Sequence, residues 1–345
     1  MATSLSEAYD NHLQLKHIIP LDFDLVHDVP ESHLWTQTDQ FPHTYQTCVI
    51  EPSIPIIDLR APNVVELVGN ACREWGMFQV INHEVPASLV EDVEGHARQL
   101  FELPAKQKLK ALRSPRGVTG YGVARISPFF SKLMWHEGFT IMGSAVEHAK
   151  LLWPHQYEEF CDAVDNYQKK MKSLAHKIFL IILKALGLEE EEDDQETCFS
   201  ASEGALQLNS YPSCPSPNRA IGLAPHTDSL LLTILHQNDV NGLQIFQEDM
   251  GWVSVPPVPE ALVVNIGDLM HILSNGLFPT VCHRVVPNEA RRRFSIAYFY
   301  GPPTDCVIAP LSKMSAPRFR PVMVKDYISL KNKHLEKALH LIRIN

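Results

Sequence analysis

The sequence predicts an α+β protein in which helices pack around a central β-sandwich or barrel, and three segments indicate this class. From about 203 to 310, short apolar runs alternate with turn residues at intervals of roughly 8–12 positions. Before this segment, residues 155–187 carry apolar side chains three or four positions apart and end at Gly187, as expected for a long helix. After it, residues 322–342 return to a helical pattern.

The chain of 345 residues, 45% of them hydrophobic, is large enough to bury a substantial core. We expect three regions: a mixed, mostly helical region at 1–199, a β-rich core at 200–310, and a helical tail at 311–345. The first ~50 residues show no periodicity and are expected to be irregular, and the acidic run at 189–194 is expected to be a solvated loop. Further elements are predicted as strands at 54–59 and 76–81, helices at 64–75 and 86–101, and loops with edge strands at 114–143.

Net charge and cysteine usage exclude several classes of protein. A formal net charge of −10 argues against binding to nucleic acid or to anionic membranes. No apolar run approaches the roughly 18 residues of a membrane span, and the N-terminus lacks the apolar stretch of a secretory signal. The seven cysteines are dispersed without a C-x-x-C pair, which favours reduced thiols. A soluble, cytoplasmic protein follows from these features as the default. We also expect a monomer, although none of these features determines the oligomeric state.

The segment IGLAPHTDSLLLTILHQND, residues 221–239, places two polar side chains at the start of an apolar run. If it forms one strand, His226 and Asp228 share a face with the apolar residues that follow, because alternate side chains of a strand point the same way. An unpaired carboxylate facing an apolar interior is costly. We therefore expect either a salt bridge or a metal ion at this position.

His283, on another predicted strand in FPTVCHRVV, could complete a metal site. Two histidines and one carboxylate leave positions open on the metal, as in non-haem Fe(II) oxygenases, whereas a structural zinc site would use four protein ligands. Cys282 is expected on the opposite face of the strand. A core histidine bonded to the backbone is the alternative for His283 taken alone, and a zinc hydrolase is the alternative for the three ligands together.

A second set of polar residues indicates a receptor for a carboxylate. In RRRFSIAYFY, Arg293 and Ser295 share one face of a predicted strand, and an arginine directed inward requires an anion. Asn209 and Tyr211 are also two positions apart, and a phenol can donate to the same carboxylate. The pattern favours a small diacid that binds both the metal and the arginine. The preceding arginines, 291 and 292, are expected to form a solvated turn.

Together these motifs resemble the plant 2-oxoglutarate/Fe(II)-dependent dioxygenase family, which has N-x-Y, H-x-D, a distal His and R-x-S in this order and spacing. The resemblance extends over essentially the whole chain, including IPIIDL and ACREWGMFQVINHEV. It implies a double-stranded β-helix (jelly-roll) core flanked by N-terminal and C-terminal helices. It also implies Fe(II) held by His226, Asp228 and His283, with 2-oxoglutarate as co-substrate, dioxygen as oxidant and ascorbate as reductant. Asn209, Tyr211, Arg293 and Ser295 would then bind 2-oxoglutarate.

Within that family the chain is most similar to the gibberellin 3-oxidases, through stretches such as GYGVARISPFFSKLMWHEGFTI and GDLMHILSNGLFPTVCHRV. The resemblance implies hydroxylation of 19-carbon gibberellin precursors at carbon-3 on the beta face, which produces bioactive gibberellins. Three residues depart from the pattern: Glu84 replaces a usual Gly, Leu230 a usual Thr, and His236 a usual Tyr. They leave open an oxidase acting at carbon-2, carbon-20 or carbon-1, or a flavonoid-type dioxygenase. A gibberellin-binding protein without activity is the non-enzyme alternative.

A rigid, mostly apolar diterpenoid with a carboxylate requires an apolar pocket with few polar anchors. Phe299 is the best candidate for its lining because it lies on the same face as Ser295. Gln207, Trp135 and Phe139 are further candidates, although core packing explains the aromatic residues equally well. Arg125 and Lys132 are candidates for binding the substrate carboxylate.

Overall fold

The structure of the protein is a computed structural model that describes residues 15–36, 53–188, 199, 201–311 and 316–344. The acidic run at 189–194 and much of the irregular N-terminal segment lie outside these residues. The described part of that segment, 15–36, has two short 3₁₀ turns, Leu15–His17 and Glu31–His33, and no strand.

The helices flank the sheets and follow the predicted positions closely. The long central helix is amphipathic, and its buried stripe includes Phe160, Tyr167, Met171 and Ile178. Three short helices, Ala105–Lys108, Val146–Leu152 and Asp268–Leu273, were not predicted from the sequence. The helices are α1 (Val64–Glu74), α2 (Ala87–Glu102), α3 (Ala105–Lys108), α4 (Val146–Leu152), α5 (Tyr157–Ala185), α6 (Asp268–Leu273), α7 (Val324–His334) and α8 (Lys337–Leu341).

The strands before residue 200 are β1 (Ile56–Asp58), β2 (Met77–Ile81), β3 (Gly120–Gly122) and β4 (Glu137–Met142). Those of the β-rich segment are β5 (Glu203–Tyr211), β6 (Leu223–His226), β7 (Leu232–Gln237), β8 (Leu243–Gln247), β9 (Gly251–Ser254), β10 (Leu262–Ile266), β11 (His283–Val285), β12 (Arg293–Gly301) and β13 (Val307–Ile308). A final strand, β14 (Val322–Met323), pairs with β13.

Two sheets form the centre of the molecule. The larger has the order β1-β2-β10-β7-β12-β5-β4-β3, and the smaller has the order β6-β11-β8-β9. Apolar side chains from both sheets form one cluster between them, which includes Leu235, Ile245 and Ala297. The opposite face of the larger sheet packs against α5, which also contacts α1 and α2. This arrangement confirms the predicted α+β class with a jelly-roll core.

The region before residue 200 also contributes to the larger sheet. β1 and β2 form one of its edges, and β3 and β4 form the other, while the middle strands come from the β-rich segment. The division into regions at 199 and 310 stays a prediction, since strands from either side of residue 199 pair within the same sheet.

The segment 221–239 is not one strand, and the sequence interpretation was wrong on this point. It forms β6 in the smaller sheet and β7 in the larger one, and residues 227–231 cross between them. His226 is the last residue of β6, and Asp228 follows in the crossing. The two side chains therefore meet because the chain changes sheets here, and not because they share a face of one strand.

Two further expectations concern cysteines and membranes. Four described cysteines, at 72, 161, 214 and 282, have free thiols. Cys306, in contrast, is disulfide-bonded, so the expectation that all thiols are reduced does not hold for it. Among the described residues, no helix is both long and apolar enough to cross a bilayer.

Candidate active site

Three ionisable side chains converge where the two sheets meet at the end of β6. His226 and His283 are cross-strand partners on β6 and β11, and their ring centroids are 4.3 Å apart. Asp228 Oδ1 lies 3.7 Å from His226 Nε2 and 3.9 Å from His283 Nε2. The three ligand-type atoms all lie within 4.8 Å of one another, so a single metal ion could contact all of them.

Hydrogen bonds to backbone carbonyl groups fix both imidazoles in the orientation that a metal requires. His226 Nδ1 donates to the Ala224 carbonyl at 2.9 Å, and His283 Nδ1 donates to the Val281 carbonyl at 3.2 Å. With the proton on Nδ1, each Nε2 keeps its lone pair and is directed towards Asp228. Such backbone partners are the usual outer support of metal-binding histidines.

The electrostatics of this cluster also suit a cation. Burial, together with the neighbouring His283, lowers the pKa of His226 to about 3, so the ring is neutral at pH 7. Burial disfavours the charged form of Asp228, but the two imidazoles and the Asn265 amide outweigh burial and lower its pKa. Asn265 Nδ2 donates to Asp228 Oδ2 at 3.3 Å, which leaves Oδ1 facing the histidines. The cluster therefore offers two imidazole nitrogens and one carboxylate oxygen, and this set fits Fe(II).

The cluster lies in the wall of a cavity of about 210 Å³ between the two sheets. Most of the predicted site residues lie in the same wall, on the neighbouring strands β5 and β12. The cross-strand pairs Arg293–Tyr211, Ser295–Asn209 and Ala297–Gln207 place these side chains side by side. The predicted residues that line the cavity are His226, Asp228, His283, Asn209, Tyr211, Arg293, Ser295, Gln207 and Phe299.

Arg293 is fully buried, with an exposed fraction of 0%, and has no acidic partner among the described residues. Its Nη2 donates to Gln237 Oε1 at 2.8 Å, and its Cζ lies 5.2 Å from the centre of the Tyr211 ring. The Nε and Nη1 groups make no hydrogen bond within the described part of the chain. A buried guanidinium with unused donors is a receptor for a carboxylate, because leaving it unpaired is costly.

Small polar side chains complete this end of the cavity. Asn209 Nδ2 donates to Ser295 Oγ at 3.4 Å, and His136 Nε2 donates to Asn209 Oδ1 at 3.0 Å. Burial lowers the pKa of His136 to about 4, so it is neutral and adds no second charge. Gly242 allows the smaller sheet to approach Arg293, since an added Cβ there would lie 2.9 Å from the arginine Cδ.

Two of the four residues predicted to line a substrate pocket lie elsewhere. The Trp135 Nε1 donates to the Pro212 carbonyl at 3.0 Å, and the ring packs with Cys214 and Ala220. Phe139 packs edge-to-face against Phe160 in the main core. Neither borders the cavity, whereas Gln207 and Phe299 do.

The two candidates for binding the substrate carboxylate are also separated by the structure. Arg125 lines the cavity, and its Nη1 donates to the Gly117 carbonyl at 3.2 Å. Lys132 is half-buried, and its Nζ donates to the Glu31 carbonyl at 3.1 Å. Of the two, only Arg125 borders the cavity.

Sequence reasoning missed four residues that support the site: Asn265, Gln237, His136 and Lys331. They come from β10, β7, the loop before β4 and α7, and no motif links them. A buried polar residue in an apolar strand, such as the Asn in LVVNI, is the one signal that could have marked Asn265.

The three departures from the family pattern lie in different places. Leu230 lines the cavity, but Glu84 and His236 border a separate groove. Glu84 has a positive φ of 65°, a conformation that favours the glycine expected there. His236 Nε2 lies 2.6 Å from Glu94 Oε2. Leu230 is therefore the departure that can affect what the cavity accepts.

Comparisons with known proteins match this geometry. The model of the 2OG-Fe(II) oxygenase superfamily matches residues 202–302, and the model described as non-haem dioxygenase in morphine synthesis N-terminal matches residues 54–159. Gibberellin 3-beta-dioxygenase 1 of Pisum sativum is 49% identical, with 99% of this chain and 94% of the relative covered. The enzyme of the same name from Arabidopsis thaliana is 46% identical, with 99% and 98% covered. The chain belongs to the gibberellin 3-beta-dioxygenase family of this superfamily.

Solved structures agree with this membership. JOX2, crystallised in complex with 2OG, Fe and JA, has a TM-score of 0.79 and is 29% identical, with 93% of this chain and 95% of JOX2 covered. The rice dioxygenase for auxin oxidation has a TM-score of 0.71 and is 26% identical, with 85% of this chain and 100% of that one covered. As a gibberellin 3-beta-dioxygenase family member, the protein is an iron-dependent dioxygenase that uses 2-oxoglutarate, dioxygen and a small-molecule substrate.

Proposed function

We propose that this protein hydroxylates 19-carbon gibberellin precursors at carbon-3 on the beta face and so produces bioactive gibberellins. The near full-length similarity to gibberellin 3-beta-dioxygenases supports this reaction. One structural observation supports the assignment to the iron- and 2-oxoglutarate-dependent dioxygenases. The cavity that contains the open ligand set of His226, Asp228 and His283 also contains a buried arginine with unused donors. The monomeric state and cytoplasmic location stay predictions.

In this proposal the three converging side chains bind Fe(II), and the β5–β12 wall binds 2-oxoglutarate. Arg293, Ser295 and Tyr211 hold the distal carboxylate, while Asn209 orients Ser295. When bound, the iron would activate dioxygen as the oxidant, with one oxygen atom going to the succinate formed as 2-oxoglutarate loses carbon dioxide and the other to the hydroxylated product. The chain itself orients the reactants and excludes water. Gln237 contributes by holding the guanidinium with a neutral amide, so that its charge remains available to the co-substrate.

The substrate would occupy the rest of the cavity. Phe299 and Leu230 provide apolar surface there, and Gln207 provides an amide that accepts a hydrogen bond from Thr140. Arg125 is the proposed partner of the substrate carboxylate because it borders the cavity. The aliphatic side chain of Leu230, two residues after Asp228, favours as second candidate a gibberellin oxidase that acts at another ring carbon.

The test is to identify the product of the purified protein with Fe(II), ascorbate, 2-oxoglutarate and labelled 19-carbon gibberellin precursors. We expect a 3β-hydroxylated product and one succinate for each hydroxylation. The His226→Ala variant should release no succinate, since it lacks a metal ligand. Turnover that yields only 2-, 1- or 20-oxidised products would reject the proposed position of attack. The absence of succinate release with the wild-type protein would reject the dioxygenase assignment.

A further inference from the structure

The C-terminal helix α7 buries a lysine on its apolar face. Its buried residues are Val324, Tyr327, Ile328 and Lys331, at the spacing of one helix face. Lys331 has an exposed fraction of only 5%. Lysine is almost never this buried unless its charge is paired, so its partners define what it does.

Those partners connect the helix to the chain segment between two of the proposed metal ligands. Lys331 Nζ donates to Asp268 Oδ2 at 2.6 Å and to the hydroxyl of Thr227. Thr227 lies between His226 and Asp228 in the sequence, so this bond acts directly on the ligand segment. Tyr327, one turn earlier on the helix, donates its hydroxyl to the same Asp268 oxygen at 2.7 Å.

Asp268 extends the connection to the backbone of the ligand Asp228. Its amide donates to the Asp228 carbonyl at 2.8 Å, so one residue receives the lysine on its side chain and holds Asp228 through its main chain. The preceding Gly267 makes this approach possible, because an added Cβ would lie 2.1 Å from the Leu230 carbonyl oxygen. Residues 227–231 lie outside both sheets, so no strand ladder fixes their conformation.

We propose that Lys331 is a positioning residue that holds the 226–228 segment in its metal-binding conformation, which makes the C-terminal helix part of the iron site. This inference depends on the proposed ligand set. The lysine acts through Thr227 and Asp268 and not by contact with the metal. Partners of this kind around a metal site typically contribute 10- to 100-fold in metal affinity.

The test is anaerobic equilibrium dialysis of the full chain against Fe(II), without 2-oxoglutarate or substrate. Lys331→Met should weaken Fe(II) affinity at least about tenfold. The matched control is Lys333→Met, the same change at an exposed position of the same helix, which should leave the affinity unchanged. Wild-type Fe(II) affinity in a Lys331→Met variant that raises only the KM for gibberellin would overturn the proposal, because the lysine would then be a substrate contact.

Lys331→Met leaves Asp268 buried without its cation. If that variant does not fold, a second variant keeps the test decisive. Thr227→Val removes only the hydroxyl bond and retains the ion pair. With circular dichroism matching the wild type, weaker Fe(II) binding by Thr227→Val supports the proposal, and unchanged binding overturns it. A His226→Ala arm separates the two hypotheses: if it retains wild-type Fe(II) affinity, the ligand set itself is wrong.

Discussion

Arg292 and Arg293 are neighbours in the sequence, but they occupy opposite faces of the larger sheet and differ in their surroundings. Arg292 Nη1 lies 3.5 Å from the carboxylate of Glu137, whereas Arg293 contacts the neutral amide of Gln237 at 2.8 Å. The first arginine joins a network in which Lys108 and Arg292 share the Glu137 carboxylate as their anionic partner. Arg293 is buried, and two of its guanidinium nitrogens have no hydrogen-bond partner among the described residues. This difference distinguishes an arginine with a structural role from one that is suited to bind a ligand.

The network around Glu137 is closed. The carboxylate is fully buried and accepts hydrogen bonds from Lys108 Nζ and the Tyr121 hydroxyl, both at 2.7 Å, and from Ser210 Oγ at 3.3 Å. Burial, reinforced by the nearby carboxylate, raises the pKa of Tyr121 and keeps its proton on the phenol. Every group has a partner within the chain, so nothing remains to attract a ligand. We infer that this cluster ties β3 and β4 to the sheet.

The surroundings of Arg293 differ, because no acidic side chain of the described residues pairs with it and a bound ligand would have to supply the negative charge. A cation buried without an anion lowers stability, and it is retained where a ligand supplies the missing charge. Three predictions test this comparison.

The largest effect is expected on the free energy of unfolding, when the network around Glu137 is disrupted. Glu137→Ala leaves Lys108 buried without an anion, and we expect a loss of about 3–5 kcal/mol in the free energy of unfolding. Urea denaturation measures this loss. The double variant with Lys108→Met and Glu137→Leu should recover part of it, since an apolar pair replaces the ion pair. A large change in the 2-oxoglutarate affinity of the folded Glu137→Ala variant would show that the Glu137 network and the Arg293 site are not independent.

The next largest effect is expected on the affinity for 2-oxoglutarate, when Arg293 is replaced. Arg293→Met should weaken 2-oxoglutarate binding by roughly 2–4 kcal/mol, or about 30- to 1,000-fold, with no loss of stability. The dissociation constant is measured anaerobically with the Fe(II)-loaded protein. Arg292→Met is the matched control and should leave that constant unchanged. Equal effects of the two substitutions would contradict the distinction between the arginines.

The smallest effect is expected when a substitution gives Arg293 an acidic partner within the chain. Gln237→Glu places a carboxylate against Arg293 and supplies its missing charge from within the chain. We expect slightly higher stability and about tenfold weaker 2-oxoglutarate binding, since a charge-assisted hydrogen bond contributes roughly 1.5–3 kcal/mol. Gln237→Leu removes the hydrogen bond without adding a charge and should weaken binding less. Tighter binding by Gln237→Glu would refute this account of the arginine.

Alternation along strands predicted the placement of Arg293, Ser295 and Phe299 correctly, because a strand with one buried face fixes the direction of each side chain. The expectation that Arg292 belongs to a solvated turn was wrong, since it reaches Glu137 from a partly buried position. The composition-based choice of Trp135 as a pocket residue was also wrong, because an aromatic residue is equally suited to a core and to a pocket wall. Which of the two it joins depends on segments that are distant in the sequence.

By itself, the sequence determined the class of elements, the three paired motifs with the distal His283, and the chemical character of the site, since these depend on local spacing and residue type. The tertiary structure alone decided that His226 and Asp228 meet at a crossing between sheets, and that Gln237, Asn265 and Lys331 support the site. The physical reason is that these contacts join segments far apart in the chain. Their hydrogen bonds exist only once both sheets and the C-terminal helix have packed.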